Sequence, residues 1–136
     1  MAAYLLTWNP RHWSVAGMAA ELAETGAARA DWTTVSRKIR EGDQVLFLRQ
    51  GAEPRGIVGA GRALGVPYWY APLRRWLCPL AWDWLEPDAP VVTVAELQEQ
   101  IPTGHWTPRC SGTRIGDVEA AVLLDLLEAR RAGVPS

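Results

Sequence analysis

Eight tryptophans stand in this 136-residue chain beside a single phenylalanine. Trp8, Trp13, Trp32, Trp69, Trp76, Trp82, Trp84 and Trp106 run from one end to the other. Leu, Ile and Phe would fill a core with less bulk. Indole offers a flat, rigid, amphipathic face, suited to stacking on a planar ligand or to anchoring an interface. Some rings must be core in so small a domain, and two or three are expected to serve a ligand. Other chemistry is poorly provided for. His12 and His105 lack partners at metal-ligand spacing. Cys78 and Cys110 are too few for a disulfide framework. Ser111 follows Cys110 near His105, but a nucleophile also needs a base and an orienting acid in space. Gly59-Ala60-Gly61 begins like a dinucleotide fingerprint, yet Leu64 stands where its third glycine belongs. The expectation is a binding protein, not an enzyme, with no cofactor and no metal.

Charge points to a partner. The net value is −1, which alone speaks against nucleic acid. Residues 29–75, however, carry nine basic and four acidic side chains, and residues 76–136 carry four basic and nine acidic. That asymmetry suggests one basic face, with scatter over a solvated surface as the alternative. No apolar run approaches the ~20 residues of a membrane span, and the start lacks the basic residues of a secretory signal. A soluble cytoplasmic protein folded as one domain over 1–136 is expected.

Ala3 to Trp8 reads as a strand ended by Asn9-Pro10. Ser14 can cap a helix bearing Val15, Met18, Ala19 and Leu22 and ending near Gly26. Gln44 to Arg49 reads as a central strand, and Gly51 to Gly56 as a hairpin loop leading into Ile57-Val58. Leu80 to Leu85 reads as a strand with Trp82 and Trp84 on one face, for packing or an interface. Thr93-Val94-Ala95-Glu96 is a capping box opening a helix to Gln100. Asp117 begins a last helix to Arg131, whose Val118, Val122, Leu123, Leu126 and Leu127 span a wide arc and predict deep burial. The order implies an α+β fold, a small mixed sheet or barrel flanked by helices.

Several segments, read in order, carry a resemblance. They are Tyr4-Leu5-Leu6-Thr7-Trp8-Asn9-Pro10 with Trp13, Trp32-Thr33-Thr34, and Gly42 through Gly51. Glu53 through Gly61, Pro67-Tyr68-Trp69, and His105-Trp106-Thr107-Pro108 with Ser111-Gly112 follow. Together they resemble the EVE domain of the PUA-like superfamily, in the branch often joined to an HNH nuclease in modification-dependent restriction. The resemblance spans nearly the whole chain. It implies a twisted, barrel-like mixed sheet and a pocket that accepts one flipped, modified nucleobase. YTH domains, which hold methylated adenine in RNA between tryptophans, are its structural relatives.

By position the resemblance implies Trp32 as one wall of an aromatic cage and Trp69, or else Trp76, as the opposite wall. It implies Asn9 as a partner for the base edge, with Thr33 and Thr34 beside it and Ser111 and Gly112 closing the pocket. Arg49 and Gln50 would face base or phosphate. Arg37, Lys38 and Arg40 follow Trp32 closely and would grip flanking phosphates, or else form a solvated charged turn. Trp8 is expected in the core, and Trp106 as a loop plug. Two departures matter. Thr33-Thr34-Val35-Ser36 stands where the family often has Ser-Gly after the cage tryptophan, and Tyr68 to Cys78 is short. The implied function is a non-catalytic reader of 5-methylcytosine or a related modified cytosine in DNA, standing alone or working with a nuclease domain or protein. A reader of modified RNA, or an ASCH-like amidohydrolase acting on acylated cytidine, is the alternative; Lys38 and Glu41 only faintly match the latter's charged motif.

Overall fold

The computed structural model describes residues 1–133. Its elements are β1 (Ala3–Trp8), α1 (Ala16–Thr25), β2 (Ala28–Thr33), β3 (Gln44–Arg49), β4 (Gly56–Ala63) and β5 (Tyr68–Tyr70). A single 3-10 turn (Ala71–Leu73), β6 (Arg75–Leu85), β7 (Val92–Thr93), α2 (Val94–Gln100), β8 (Thr113–Ile115) and α3 (Asp117–Arg131) follow. The strands make one mixed sheet in the order β2-β6-β4-β3-β1-β8, with β5 paired to β6 and β7 paired to β4. Among the described residues only β1 and β3 run parallel, joined across α1 and β2. This is the α+β architecture expected, as an open, curled sheet.

The central strands are apolar on both sides because both faces are covered. Leu5, Leu46, Leu48 and Ile57 pack beneath α2 and α3, with Leu97, Leu123 and Leu127. Leu6, Val45, Phe47 and Val58 face the other way, toward α1 and the inside of the curl. Trp8 belongs to that inner core, stacked at 5.8 Å on Phe47. Trp106 is buried and donates its indole N–H to the Ile101 carbonyl at 2.8 Å, satisfying the end of α2. The capping box of α2 forms as read, with Thr93 and Glu96 bonding each other's backbone.

Four expectations change. α1 starts one residue later than the Ser14 cap implies: Val15 takes the cap position, and the Ser14 hydroxyl only accepts from the Ala16 amide. Strand β2 was not anticipated, because Ala28 and Ala30 are small and its apolar alternation is faint. Trp82 and Trp84 do not share a face. A bulge in the β4–β6 pairing leaves Asp83 without a cross-strand register partner between them, sending Trp82 to Phe47 and Trp84 beneath α3. Finally, α3 buries only a narrow stripe of Ala120, Leu123 and Leu127, while Val118 is 74% exposed and Val122 45%.

Across the α2–α3 face, Arg130 pairs with Glu96 at 2.6 Å, both side chains mostly buried. The Arg130 guanidinium, ahead of the two Thr93 hydrogen bonds, holds the Glu96 carboxyl below the usual glutamate range despite partial burial. A carboxyl lowered on folding stabilises fully above its unfolded value and loses that contribution as pH falls through the folded one. Glu96→Gln keeps the capping box but removes the charge. It should lower unfolding free energy by about 0.2–1 kcal/mol at pH 7. Urea melts should then show the two proteins converging as pH drops below the ordinary glutamate value; a constant difference down to acid would mean packing, not charge, is lost.

Candidate nucleic-acid interface

Strand β2 is a sheet edge, and its side chains alternate. Ala28, Ala30 and Trp32 turn to the inner core, where the Trp32 ring meets Phe47 edge-on at 4.9 Å. The Trp32 indole N–H donates to the Thr7 carbonyl at the end of β1, at 2.9 Å. Asp31 and Thr33 therefore lie on the other face, opposite Pro79 and Leu77 of β6. A cavity of ≈ 130 Å³ opens here, bounded by Trp13, Asp31, Trp32, Thr33, Arg75 and Leu77, with Leu73 at its rim. It runs into a larger concavity of ≈ 430 Å³ where Thr7, Asn9 and His12 join Trp13, Trp32, Thr33 and Arg75. Two indoles, an aliphatic floor and a few convergent polar groups suit a planar, partly polar ligand.

Each wall has a local cause. Asn9 folds the chain after β1 by accepting the Arg11 amide on its side-chain oxygen at 2.9 Å and the His12 and Trp13 amides on its carbonyl. That turn swings Trp13 back so that its carbonyl receives the Trp8 indole N–H at 2.8 Å, while its own ring stays 53% exposed over the cavity. Gly51 adopts φ +78°, and a Cβ there would overlap the Asn9 side chain. Next to the cavity, Tyr68 of β5 hydrogen-bonds the Asp31 carboxylate; desolvation first and then this contact push its phenol up.

The expected site residues divide. Trp32, Asn9 and Thr33 line the concavity. Thr34, Ser111 and Gly112 sit behind it as a brace. The Thr7 amide donates to the Ser111 hydroxyl at 3.0 Å, Val35 to the Ser111 carbonyl at 2.8 Å, and Gly112 to Leu5 at 2.8 Å. Buried Thr34 bonds Ser36 through its hydroxyl. Gln50 is tied to the Pro108 carbonyl at 2.9 Å, and Arg49 to the Pro87 carbonyl at 2.8 Å with its guanidinium over Trp8. Arg37, Lys38 and Arg40 form the exposed turn after β2, where Arg40 also bonds backbone carbonyls of Arg37 and Ile39. Trp69 does not meet Trp32: it pairs with Trp76 on β6, and alternation turns both away from Arg75 and Leu77. The second indole of the cavity is Trp13. Sequence reading also passed over Asp31, Arg75 and Leu77, which only the unanticipated strand β2 and its pairing with β6 bring together. Among the described residues no group of three metal-ligating side chains occurs. Cys78 is buried, and burial ahead of Asp31 and Asp43 raises its thiol to about 11, so it stays protonated at neutral pH.

The brace is testable without a ligand. Gly112 holds φ +98°, and a Cβ there would collide with the Thr34 hydroxyl. Gly112→Ala should cost at least about 1–3 kcal/mol in chemical denaturation. Gly17→Ala, with nothing within 4 Å of the new methyl, should be neutral or stabilising. Equal effects at the two positions would remove the brace from the account.

No protein-family model matches the chain, and no curated protein sequence does. Solved structures do match. A hypothetical protein from Leishmania major superposes with a TM-score of 0.70 at 18% identity, over 96% of this chain and 97% of that one. A protein from Pseudomonas syringae gives 0.61 at 20% identity, over 93% and 99%. Human THYN1, solved in complex with 5-methylcytosine-containing DNA, gives 0.64 at 14% identity, over 94% and 98%. At these identities the likeness shows the fold, an α+β mixed sheet flanked by helices, consistent with the PUA-like arrangement expected.

Proposed function

We propose that this chain is a non-catalytic nucleic-acid-binding module that takes one extruded base, 5-methylcytosine or a related modified cytosine in DNA, between Trp13 and Trp32. The observation that carries the reading is the cavity itself: two indoles with a carboxylate and a guanidinium at its edge, Asp31 and Arg75. The fold shared with a protein solved on 5-methylcytosine DNA supports it, as does the EVE resemblance. Cytosine presents an amine donor where thymine presents a carbonyl, and an acidic side chain accepts from that amine. Asp31 would therefore favour cytosine over thymine although both can carry the same methyl. Arg75 would donate to the base's ring acceptors. Extrusion costs a few kcal/mol, and stacking returns about 1–3 kcal/mol per base, so two walls offset much of it. Lys38 and Arg40, exposed beside β2, would meet flanking phosphates.

Trp32 is a poor first mutation because it also braces the sheet through Phe47 and Thr7. Trp13→Ala is cleaner: its ring is half exposed, so folding should survive. Fluorescence anisotropy should show about 1–3 kcal/mol lost for oligonucleotides carrying 5-methylcytosine. Asp31→Asn should shrink the preference for 5-methylcytosine over thymine at the same position by about 1–3 kcal/mol. A folded Trp13→Ala protein with unchanged affinity would remove the base from this cavity. Replacing Lys38 and Arg40 together by Gln should weaken modified and unmodified DNA alike and flatten the log–log salt slope by about two; an unchanged slope would take them off the phosphates.

A further inference from the structure

The hairpin of β5 and β6 has two unlike faces. One contributes Arg75 and Leu77 to the cavity. The other carries Trp69 and Trp76, cross-strand partners whose rings meet edge-on at 5.8 Å, with the Arg37 guanidinium 5.1 Å above the Trp76 ring. Trp76 is thus held from two sides, whereas Trp69 is 51% exposed. Six of the eleven exposed large hydrophobic side chains among the described residues fall in Leu64–Leu73, on and just before this hairpin. Of the four arginines between Pro54 and Trp82, Arg55 and Arg62 pair with Glu53 and Asp83, and Arg74 and Arg75 belong to the hairpin itself. The hairpin tip is made by Arg74 in a left-handed conformation, φ 52°, the one non-glycine residue with positive φ among those described.

An exposed indole braced by a second indole, with the Arg37 guanidinium over the pair and Arg74 and Arg75 on the same hairpin, puts a stacking face and positive charge together, which the bases and phosphates of a nucleic acid match at once. We propose that this hairpin is a wedge for duplex DNA, with Trp69 stacking into the step that an extruded base leaves open. The inference rests on the base-extruding reading above and adds to it a second contact. The geometry joins the two: Arg75 and Leu77 of this ribbon wall the cavity, and Trp69 stands on the opposite face of the same two strands. An inserted side chain fills the vacated step and stacks on the neighbouring or orphaned bases, so the duplex does not have to re-close around a hole.

The test compares one sequence with a central 5-methylcytosine as duplex and as single strand, binding wild type, Trp69→Ala, Arg37→Gln and Trp13→Ala. A single strand has no vacated step to fill. Trp69→Ala should weaken duplex binding about five- to a hundredfold and single-strand binding less than threefold. Arg37→Gln, which loosens the Trp76 ring and removes one positive charge, should shift the duplex-to-single-strand ratio in the same direction by less. Thermal melts of both variants should match wild type; should Trp69→Ala melt lower, Arg37→Gln carries the comparison. Equal losses on duplex and single strand, or no loss on either, would overturn the wedge. Trp13→Ala keeps the two readings apart by weakening both substrates if the cavity holds the base. If it weakens neither while Trp69→Ala still selects duplex, the cavity reading fails and the wedge stands. A wild-type protein that binds neither oligonucleotide overturns both.

Discussion

An open sheet can hold a cavity at its edge only if that edge is held still, and here the hold is a set of hydrogen bonds between strands that are not sheet neighbours. β2 lies at one margin, yet Trp32 reaches the Thr7 carbonyl of β1, and Val35 just beyond β2 reaches Ser111 just before β8. The curl is therefore pinned at one end without becoming a closed barrel. Two consequences follow. The C-terminal end of β2, where Trp32 and Val35 make these bonds, is fixed against β1 and the turn before β8. The groove beside Trp32 also keeps its width, because both of its sides belong to the same pinned end.

The pin explains why residues expected to touch a ligand divide into two groups. Thr34, Ser111, Gly112 and Gln50 spend their polar groups on backbone partners that would otherwise be buried unsatisfied. Asn9 does both: its oxygen orders the turn that delivers Trp13, and its side chain still borders the concavity. Arg49 is anchored on Pro87 and Trp8, on the far side of that turn. Side chains committed to such contacts preorganise a site more than they bind in it.

Much of the fold was legible in the sequence where the signal was local. Thr93 and Glu96 announced α2, Asn9-Pro10 ended β1, and the apolar run of Gln44–Arg49 gave a strand buried on both faces. What was not legible depended on pairing. β2 hides its alternation behind two alanines, and the bulge at Asp83 that separates Trp82 from Trp84 leaves no mark on their i, i+2 spacing. The wide arc of α3 misled because only one stripe of the helix, Ala120, Leu123 and Leu127, packs into the core, leaving Val118 and Val122 uncovered. For the site, Trp32 could be singled out in advance. Trp13, Asp31 and Arg75 could not, since they meet only when the turn after β1 folds back and β2 pairs with β6. Trp69 illustrates the limit: sequence order places it near Trp32, but its pairing with Trp76 at the hairpin end of β6 decides what it meets.

The composition of the cavity also bears on how selective such a module can be. Burying one methyl is worth about 0.8 kcal/mol, a several-fold preference and no more. Indole walls are blind to base identity, because every base has a face to stack. Selectivity in the proposed reading must then come from the edge, and the edge holds one acceptor and one donor group of opposite charge, Asp31 and Arg75. Opposed charges can match the alternating donor and acceptor pattern of cytosine, whereas a mismatched base leaves one of them facing a like dipole, a penalty larger than any methyl contributes. The methyl would tune affinity among cytosines that the polar edge has already admitted. An arrangement of this kind reads base identity strongly and modification weakly, unless the space around the methyl is tight enough to penalise an unfilled gap.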